Sequence, residues 1–285
     1  MDIAIGLPTT IAGTTRDQVL EWARRADRAG FSSLGTIDRL VYGNYEPLVA
    51  LAGAAAVTER TRLLTSIALL PWRQNAALFA KQAASLQALS GNRLTLGVSV
   101  GGRPDDFEAS GVPMAGRGAR MNEMLDEIKR VWAGEERGYA GGIGPDVSSD
   151  PPQLIVGGSV DASFERAATY GDGWIMGGGS ADAFAQQRER AEAAFRAAGR
   201  GEPRTMALAY FSLDPDPEAQ VAETIGDYYA FAGEYRDRIV EGAAKGPDAV
   251  RERIAAFEQA GCDELVLFPA SADPDQVDAL AAVAL

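Results

Sequence analysis

Residues 63–100 read LLTSIALLPWRQNAALFAKQAASLQALSGNRLTLGVSV, and this stretch decides the fold. An apolar run over Leu63–Leu70 is closed by Pro71, a helical pattern follows over Asn75–Ser90, and a second apolar run covers Leu94–Val100. Two short apolar runs joined by a helix are typical of neighbouring parallel strands with a crossover helix, because alternation of strands and helices builds a parallel sheet.

The same unit recurs along the whole chain. Eight short apolar runs occur, and each is followed by at least one helical pattern. Eight units in 285 residues predict a closed (β/α)₈ TIM barrel, an α/β fold whose typical length is ~250 residues. The predicted strands are Ile3–Leu7, Ser33–Ile37, Leu63–Leu70, Leu94–Val100, Gln153–Val156, Gly173–Met176, Thr205–Leu213 and Glu264–Phe268.

A doubly wound open sheet is the competing architecture. It fits less well, because Leu7–Thr10 follows the first strand where a glycine-rich dinucleotide loop would be required. No Pro-rich linker divides the chain, so we expect one barrel domain over residues 1–285. We also expect a loop over Gly101–Gly116, an irregular glycine-rich insertion over 134–152, and a helix over Glu218–Val240 broken at its glycines.

Composition excludes several classes of function. The chain has 27 Lys and Arg against 40 Asp and Glu, a net charge of -13, which is the wrong sign for a nucleic-acid binder. Its one cysteine, Cys262, cannot form an intrachain disulfide. The first residues lack a secretory pattern, and no apolar run approaches the ~20 residues of a membrane helix. We therefore expect a cytoplasmic protein that binds neither nucleic acid nor membrane.

The chain contains no histidine. This excludes a Ser-His-Asp triad, a Cys-His dyad and every zinc site built with histidine. A metal site would need carboxylates alone, and we predict none. Proton transfer must come from Asp, Glu, Lys, Tyr or Cys, from water, or from a bound cofactor.

Two glycine-rich turns follow the fifth and sixth strands. They read Gly157-Gly158-Ser159 and Gly177-Gly178-Gly179, and each opens a helix at the barrel end that carries catalytic groups. Their free N–H groups and the helix dipoles suit a phosphate. The alternative is that Gly and Ser serve only as turn and capping residues.

Charged and aromatic residues follow three other strands. Asp38 and Arg39 end the second strand, where Arg39 either holds an anion or forms a structural salt bridge. Trp72, after the third strand, either stacks on a flat ring or covers the edge of the core. Arg103 follows the fourth strand. The alternative to a role in the site is that it belongs to a loop exposed to solvent.

Two further groups have a structural interpretation. Arg117, Arg120 and Glu123 are spaced by three residues on one helix, which predicts a surface ladder of ion pairs. Tyr228 and Tyr229 are within reach of a substrate, but their aromatic character favours a place in the core.

Several stretches, in this order, resemble the bacterial luciferase-like flavin and deazaflavin oxidoreductases. They are EPLVALAGAAAVTERTRL at 46–63, AKQAASLQALSGNRLTLGV at 80–98, PPQLIVGGS at 151–159, GDGW at 171–174 and AGCDEL at 260–265. No single stretch is diagnostic, but the ordered set covers almost the whole chain. The resemblance implies a (β/α)₈ barrel, in agreement with the strand count.

The resemblance also implies a cofactor across the barrel mouth, either FMN or the deazaflavin coenzyme F-420. The phosphate of the cofactor would lie on Gly157–Ser159 and Gly177–Gly179. The ring would be bordered by Leu70, Pro71, Gly101 and Gly102, with Asp38 and Arg39 as catalytic residues and Trp72 and Arg103 in the substrate pocket.

One position departs from the pattern of the family. Many members carry a histidine after the aspartate that ends the second strand, and here that residue is Arg39. An arginine holds anions but does not shuttle protons, whereas hydride transfer needs little proton chemistry from the protein.

We therefore predict a monooxygenase or hydride-transferring oxidoreductase for a small organic substrate. A flavin or deazaflavin reductase and a second copy of the chain are its expected partners. The alternative is a cofactor-binding barrel that has lost catalysis and acts as a carrier or partner subunit. A lyase or hydrolase with carboxylate-bound Mg is a third hypothesis, and Asp38 is one of few acids at the strand ends to support it.

Overall fold

The computed structural model describes all 285 residues, and its eight principal strands close a parallel barrel. The strand order is β6-β5-β4-β3-β2-β1-β9-β7, and pairing of β6 with β7 closes the ring. The strands are β1 (Asp2–Gly6), β2 (Ser33–Thr36), β3 (Arg62–Leu69), β4 (Leu94–Ser99), β5 (Gln153–Gly157), β6 (Gly173–Met176), β7 (Arg204–Ser212), β8 (Ala244–Lys245) and β9 (Glu264–Pro269). The short β8 only extends the end of β7, so the predicted (β/α)₈ barrel is confirmed.

Helices surround the barrel. They are α1 (Arg16–Ala29), α2 (Pro47–Ala55), α3 (Ala76–Leu89), α4 (Pro104–Ser110), α5 (Arg117–Trp132), α6 (Asp161–Tyr170), α7 (Ala181–Ala197), α8 (Pro217–Tyr228), α9 (Glu234–Glu241), α10 (Pro247–Gln259) and α11 (Asp275–Ala284). None of them combines the length and the apolar character that crossing a membrane requires.

The core has two apolar layers, because successive residues of a strand face opposite sides of the sheet. The outer layer, between strands and helices, contains 52 buried residues. A second cluster of 16 combines the strand residues that face the barrel axis, which form the inner layer, with residues of α8, α9 and adjoining loops. Phe268 fills the inner layer where Gly6 and Gly35 leave room: a Cβ at Gly6 would overlap its ring. The barrel interior is therefore packed, and ligands are confined to its ends.

The region after β4 differs from the expected loop over Gly101–Gly116. Pro104 begins α4, where Asp105 and Asp106 occupy the first turn and favour the helix dipole, and Gly111 ends it in the left-handed conformation. The insertion over 134–152 is irregular as predicted, with one short 3₁₀ turn at Gly138–Ala140.

The region after β7 also differs from expectation. Helix α8 continues through Gly226 and ends at Tyr228, so the predicted break at Gly226 is wrong. A 3₁₀ turn over Ala230–Ala232 and Gly233 separates α8 from α9. This separation places the 230–233 turn over the C-terminal mouth of the barrel.

Candidate active site

Three adjoining cavities open at the C-terminal ends of the strands. The first, which we call the mouth cavity, has a volume of about 270 Å³. Its wall is apolar at Ile37, Ile67, Leu69 and Leu208. The other lining residues are Asp38, Ser66, Ser99, Gly101, Gly102, Arg103, Gly177, Tyr229, Phe231 and Tyr235.

The second, the glycine cavity, has a volume of about 350 Å³ and lies between the turns after β5 and β6. It shares Ile67, Ser99, Gly177 and Tyr235 with the mouth cavity, so the two form one continuous cleft. The structure thus brings the two glycine turns together beside the mouth. Five residues line the glycine cavity but not the mouth cavity. They are Gly158, Ser159, Met176, Gly178 and Gln187.

Backbone conformation explains the glycines at these turns. Gly158 and Gly178 have φ of +145° and +87°, values that other residues rarely adopt. A Cβ at Gly158 would also lie 2.5 Å from the Cβ of Ser163. Gly177 differs, because its nearest neighbour would be Ile67 Cδ1 at 3.9 Å, which leaves space for a side chain directed at the cleft.

Asp38 lies in the wall of the mouth cavity, but its carboxylate is already paired. Its Oδ2 accepts hydrogen bonds of 2.8 Å from the Leu69 N–H and from Arg73 Nη2. Burial raises the pKa of the Asp38 carboxyl, and the Arg73 guanidinium and the Leu69 N–H act in the opposite direction. The second arm of Arg73 binds Glu46 at 2.9 Å. Asp38 therefore joins the ends of β2 and β3 and is not a free acid.

Arg39, which we expected at the edge of the ring, is not among the residues that line the mouth cavity. Its guanidinium donates to the Tyr228 carbonyl at 3.0 Å and to Asp105 at 3.2 Å. It also lies 4.8 Å from the centre of the Tyr42 ring and 5.1 Å from that of Phe231. The structural salt bridge, the alternative drawn from the sequence, is the arrangement observed.

Arg103 is the cation that does line the mouth cavity. Its guanidinium carbon lies 4.8 Å from the ring centre of Tyr228 and 4.7 Å from that of Phe231. Its Nη1 donates to the main-chain oxygen of Asp38 at 3.3 Å. The guanidinium carbon of Arg39 also lies 5.6 Å from the Tyr228 ring centre, so both arginines contact the rings of Tyr228 and Phe231 and fix the end of α8 against the loop after β4.

A pair of tyrosines supplies hydroxyl groups near the cleft. The hydroxyls of Tyr210 and Tyr229 lie 2.8 Å apart, and Tyr229 lines the mouth cavity. Burial raises the pKa of both residues above the usual value, so both hydroxyls stay protonated at neutral pH. Tyr228 is fully buried, as expected for a core residue, whereas Tyr229 faces the cleft.

Ser66 is a site residue that the sequence did not reveal. Its buried Oγ has no hydrogen-bond partner and lies in the wall of the mouth cavity. Nearly all buried polar atoms are hydrogen-bonded, so this hydroxyl is available to a ligand. The sequence shows only a serine within an apolar run.

A bulge in β3 explains why Ser66 and Leu69 were missed. The register with β4 shifts by one residue between Thr65 and Ala68. Before the bulge Leu64 belongs to the inner apolar layer, whereas after it Ala68 belongs to the outer layer and Leu69 lines the mouth cavity. The bulge therefore reverses which alternate residues face the cleft.

Four other expected site residues lie away from the cleft. Leu70 is fully buried in the outer layer and Pro71 is buried beside it, whereas Leu69 lines the mouth cavity. Trp72 lines none of the three cavities and instead packs on Arg73, whose guanidinium carbon lies 4.6 Å from its ring centre. Gly157 is buried beneath Ile67, where a Cβ would be 2.5 Å from Ile67 Cδ1.

Arg117 positions one wall of the cleft. Its Nε donates to the Gly101 carbonyl at 3.1 Å, and Arg120 donates to the Pro113 carbonyl at 3.1 Å. The expected ion-pair ladder with Glu123 is therefore wrong. The two arginines hold main-chain carbonyls of the loop after β4.

A barrel with an apolar cleft and an adjoining glycine-lined cavity at the C-terminal ends of its strands has the architecture of a ligand-binding TIM-barrel protein. The chain belongs to the luciferase-like monooxygenase family, whose model matches residues 1–277. No group of three or more cysteine, aspartate or glutamate side chains is arranged to hold a metal ion.

Two curated relatives illustrate the range of the family. An uncharacterized protein of Mycobacterium tuberculosis is 33% identical over 224 residues, which are 67% of this chain and 77% of that protein. The F420-dependent glucose-6-phosphate dehydrogenase of Kribbella flavida is 30% identical over 250 residues, which are 79% of this chain and 73% of the enzyme.

Two solved structures are similar over the full length. The monooxygenase RslO1 from Streptomyces bottropensis has a TM-score of 0.85 and 25% identity, covering 100% of this chain and 98% of that one. An F420-dependent secondary alcohol dehydrogenase with an F420-acetone adduct has a TM-score of 0.83 and 17% identity, covering 99% and 98%. The second likeness shows the fold alone.

The residues of the cleft fit a flavin-type cofactor. Ile67, Leu69 and Leu208 offer apolar surface for a flat ring, and the unpartnered Ser66 hydroxyl offers a hydrogen bond to its polar atoms. The glycine cavity offers close backbone approach for a phosphate. The family includes monooxygenases and F420-dependent dehydrogenases, and both groups of enzymes are oxidoreductases.

Proposed function

We propose that the chain is an oxidoreductase that transfers hydride between coenzyme F-420 and a small organic substrate. The observation that carries the proposal is the continuous cleft formed by the mouth and glycine cavities, with a buried hydroxyl and no free acid or base in its wall. Hydride transfer suits such a site, because the deazaflavin supplies the redox chemistry when it is bound. The Kribbella flavida relative, which is F420-dependent, supports the choice of cofactor.

Each part of the cleft has a separate task in this proposal. Ile67 and Leu69 hold the ring, and the N–H groups at Gly158 and Gly177, which have no backbone acceptor, hold the phosphate together with Gln187. Tyr229 keeps a protonated hydroxyl in the mouth cavity, where it donates a hydrogen bond to an oxygen of the substrate.

An oxygen-dependent reaction with FMN is the second candidate. It is favoured by the likeness to the monooxygenase RslO1 at 25% identity over the full chain. It differs in requiring a reductase partner and molecular oxygen, so oxygen consumption distinguishes it from hydride transfer.

Titration of the protein with each cofactor tests both candidates. We expect tight fluorescence-detected binding of coenzyme F-420 and weaker binding of FMN. Tight binding of FMN alone would replace hydride transfer with the monooxygenase reaction. Binding of neither would overturn the assignment of the cleft.

Gly177→Asp tests the location of the cofactor, because position 177 accepts a Cβ without overlap and faces both cavities. The added carboxylate should repel the phosphate and lower cofactor affinity at least tenfold. Gly177→Ala is the matched control and should bind nearly as the wild type does. Equal affinity of the Asp variant would place the phosphate elsewhere. Gly158→Asp is a poorer choice, because its Cβ would be 2.5 Å from that of Ser163.

A further inference from the structure

A third cavity lies beyond the glycine cavity, and its charge is unusual for this acidic chain. It has a volume of about 450 Å³, and we call it the arginine cavity because Arg238 of α9 and Arg253 of α10 line it. It shares Gly178 and Tyr235 with the glycine cavity. Gly179, the third glycine of the turn after β6, lines the arginine cavity and not the glycine cavity.

Neither arginine is neutralised by the protein. The Arg238 guanidinium makes no hydrogen bond and no ion pair, and its carbon lies 5.7 Å from the centre of the Tyr235 ring. Arg253 donates only to the Gly242 carbonyl, at 2.7 Å. Neighbouring cations on the same side of the barrel do have carboxylate partners. These pairs are Arg236 with Asp237, Lys245 with Glu218, and Arg251 with Asp248.

The burial of Arg253 strengthens this contrast. The side chain is partly buried, and burial alone lowers the pKa of its guanidinium, because no nearby acid compensates. A net charge of -13 gives the chain ample carboxylates to pair with these two cations. Unpaired arginines that converge on a cavity are suited to bidentate recognition of a carboxylate or a phosphate.

From this arrangement we propose that Arg238 and Arg253 form an oxyanion subsite for a ligand seated in the neighbouring cleft. The inference rests on the proposed function and extends it to the anionic part of the ligand. The shared chemistry is a carboxylate or phosphate ester. It is carried either by the cofactor beyond its own phosphate or by the substrate.

The two sources of the oxyanion differ in what they predict for cofactor choice. FMN ends at its phosphate, whereas coenzyme F-420 continues through a phosphodiester into a lactyl and oligoglutamate tail that carries several carboxylates. If the phosphate of the cofactor lay at Gly158 and Gly177, a continuation of F-420 past the shared residues Gly178 and Tyr235 would enter the arginine cavity. A tail in this cavity would make F-420 the preferred cofactor.

The test compares the wild type with Arg238→Gln/Arg253→Gln and with Arg251→Gln, a control on the same helix that pairs with Asp248 outside the cavity. Dissociation constants are measured for F-420 with a long glutamate tail, for the deazaflavin riboside that lacks phosphate and tail, and for glucose 6-phosphate. We expect the double variant to bind long-tailed F-420 about three- to thirtyfold more weakly, with the riboside unchanged and with the loss diminishing at high salt.

The outcomes separate the subsite from the proposed function. A loss confined to long-tailed F-420 assigns the oxyanion to the cofactor, and a loss confined to glucose 6-phosphate assigns it to the substrate. Unchanged affinity for both ligands, in a double variant with a native circular dichroism spectrum, would overturn the subsite while the cofactor binding of the cleft stands. If no deazaflavin or flavin binds the wild type, the proposed function fails. Calorimetry with inorganic phosphate, comparing the wild type and the double variant, then still decides the subsite.

Discussion

Asp38 and Arg73 form an ion pair of 2.8 Å in which the two side chains are only 2% and 9% exposed. The pair links the end of β2 to the turn that follows β3, directly beneath the mouth cavity. Asp38 was expected at the edge of the ring as a catalytic group. In the structure its carboxylate accepts hydrogen bonds from the Leu69 N–H and from Arg73, so it holds two strand ends in place and shapes the cleft.

Removing one member of this pair should destabilise the protein strongly. Arg73→Met leaves the buried Asp38 carboxylate with only the Leu69 N–H, and the expected cost is about 3–5 kcal/mol in the free energy of unfolding. Urea denaturation measures it. Arg130→Met is the control, because the Arg130 side chain is 56% exposed and its ion pair with Glu127 should contribute less than about 1 kcal/mol. Similar costs for the two variants would contradict the structural role of the buried pair.

Tyr229→Phe should lower kcat without changing cofactor affinity. The substitution removes a protonated hydroxyl from the mouth cavity but keeps the ring and its packing. Loss of a positioned proton donor typically costs about 10²-fold or more in rate. Steady-state kinetics with a substrate found by screening provides the measurement, and Tyr210→Phe is the control that removes only the partner hydroxyl. An unchanged kcat for Tyr229→Phe would exclude Tyr229 as the donor.

The pH dependence of stability should include a contribution from Asp27. Burial alone would raise the pKa of this carboxyl, but N–H groups of Thr61, Arg60 and Glu59 outweigh burial and lower it from 3.8 to about 2. A carboxyl whose pKa is lower in the folded state than in the unfolded state stabilises the fold at pH values above the unfolded-state pKa. This contribution is lost as the pH falls from about 4 to 2.

Asp27→Asn checks that contribution. The variant should lose less stability than the wild type between pH 4 and pH 2 in urea titrations. Asp248→Asn, at an exposed position of α10, should lose as much as the wild type. Parallel curves for wild type and Asp27→Asn would remove Asp27 from the acid response.

Two leucines of α3 provide a matched test of the core. Leu86 is 3% exposed and packs in the outer layer, whereas Leu89, three residues later, is 77% exposed. We expect Leu86→Ala to cost about 2–5 kcal/mol and Leu89→Ala less than about 0.5 kcal/mol, both measured by denaturant unfolding. Comparable losses would mean that α3 packs in another orientation.

The barrel was predictable because its signals are local and repeated. Each strand is a short apolar run, such as Leu94–Val100, and each turn after it contains glycine or proline. All eight barrel strands were located to within about two residues. Helix α4 was missed because its seven residues lie in a stretch rich in Gly, Pro and Asp. The continuation of α8 through Gly226 was missed because tertiary packing tolerates a glycine that intrinsic propensity disfavours.

The candidate site was only partly predictable. Residues that follow strands four, five and six reach the cleft as expected, because the ends of parallel strands meet at one end of a barrel. Arg39 could not be assigned from sequence, since its contacts with Tyr228 and Phe231 join segments about 190 residues apart. Tyr229 was considered as a residue within reach of a substrate but was placed in the core, and Gln187 was not considered, because nothing in their local sequence distinguishes a side chain that faces the cleft from one that faces the core.

The bulge in β3 changes the alternation of inward-facing and outward-facing side chains along the strand. From Leu64 to Ser66 the even-numbered side chains face the barrel axis, and from Ile67 to Leu69 the odd-numbered ones do. Deletion of either Ser66 or Ile67 would remove the bulge and restore regular alternation, with Leu69 still facing the axis but with one lining side chain lost from the cleft. Which side chains form the floor of the cleft thus depends on the number of residues in β3 as well as on their identities. Two chains with the same apolar run at this strand, one with the extra residue and one without it, would present different surfaces to the same ligand.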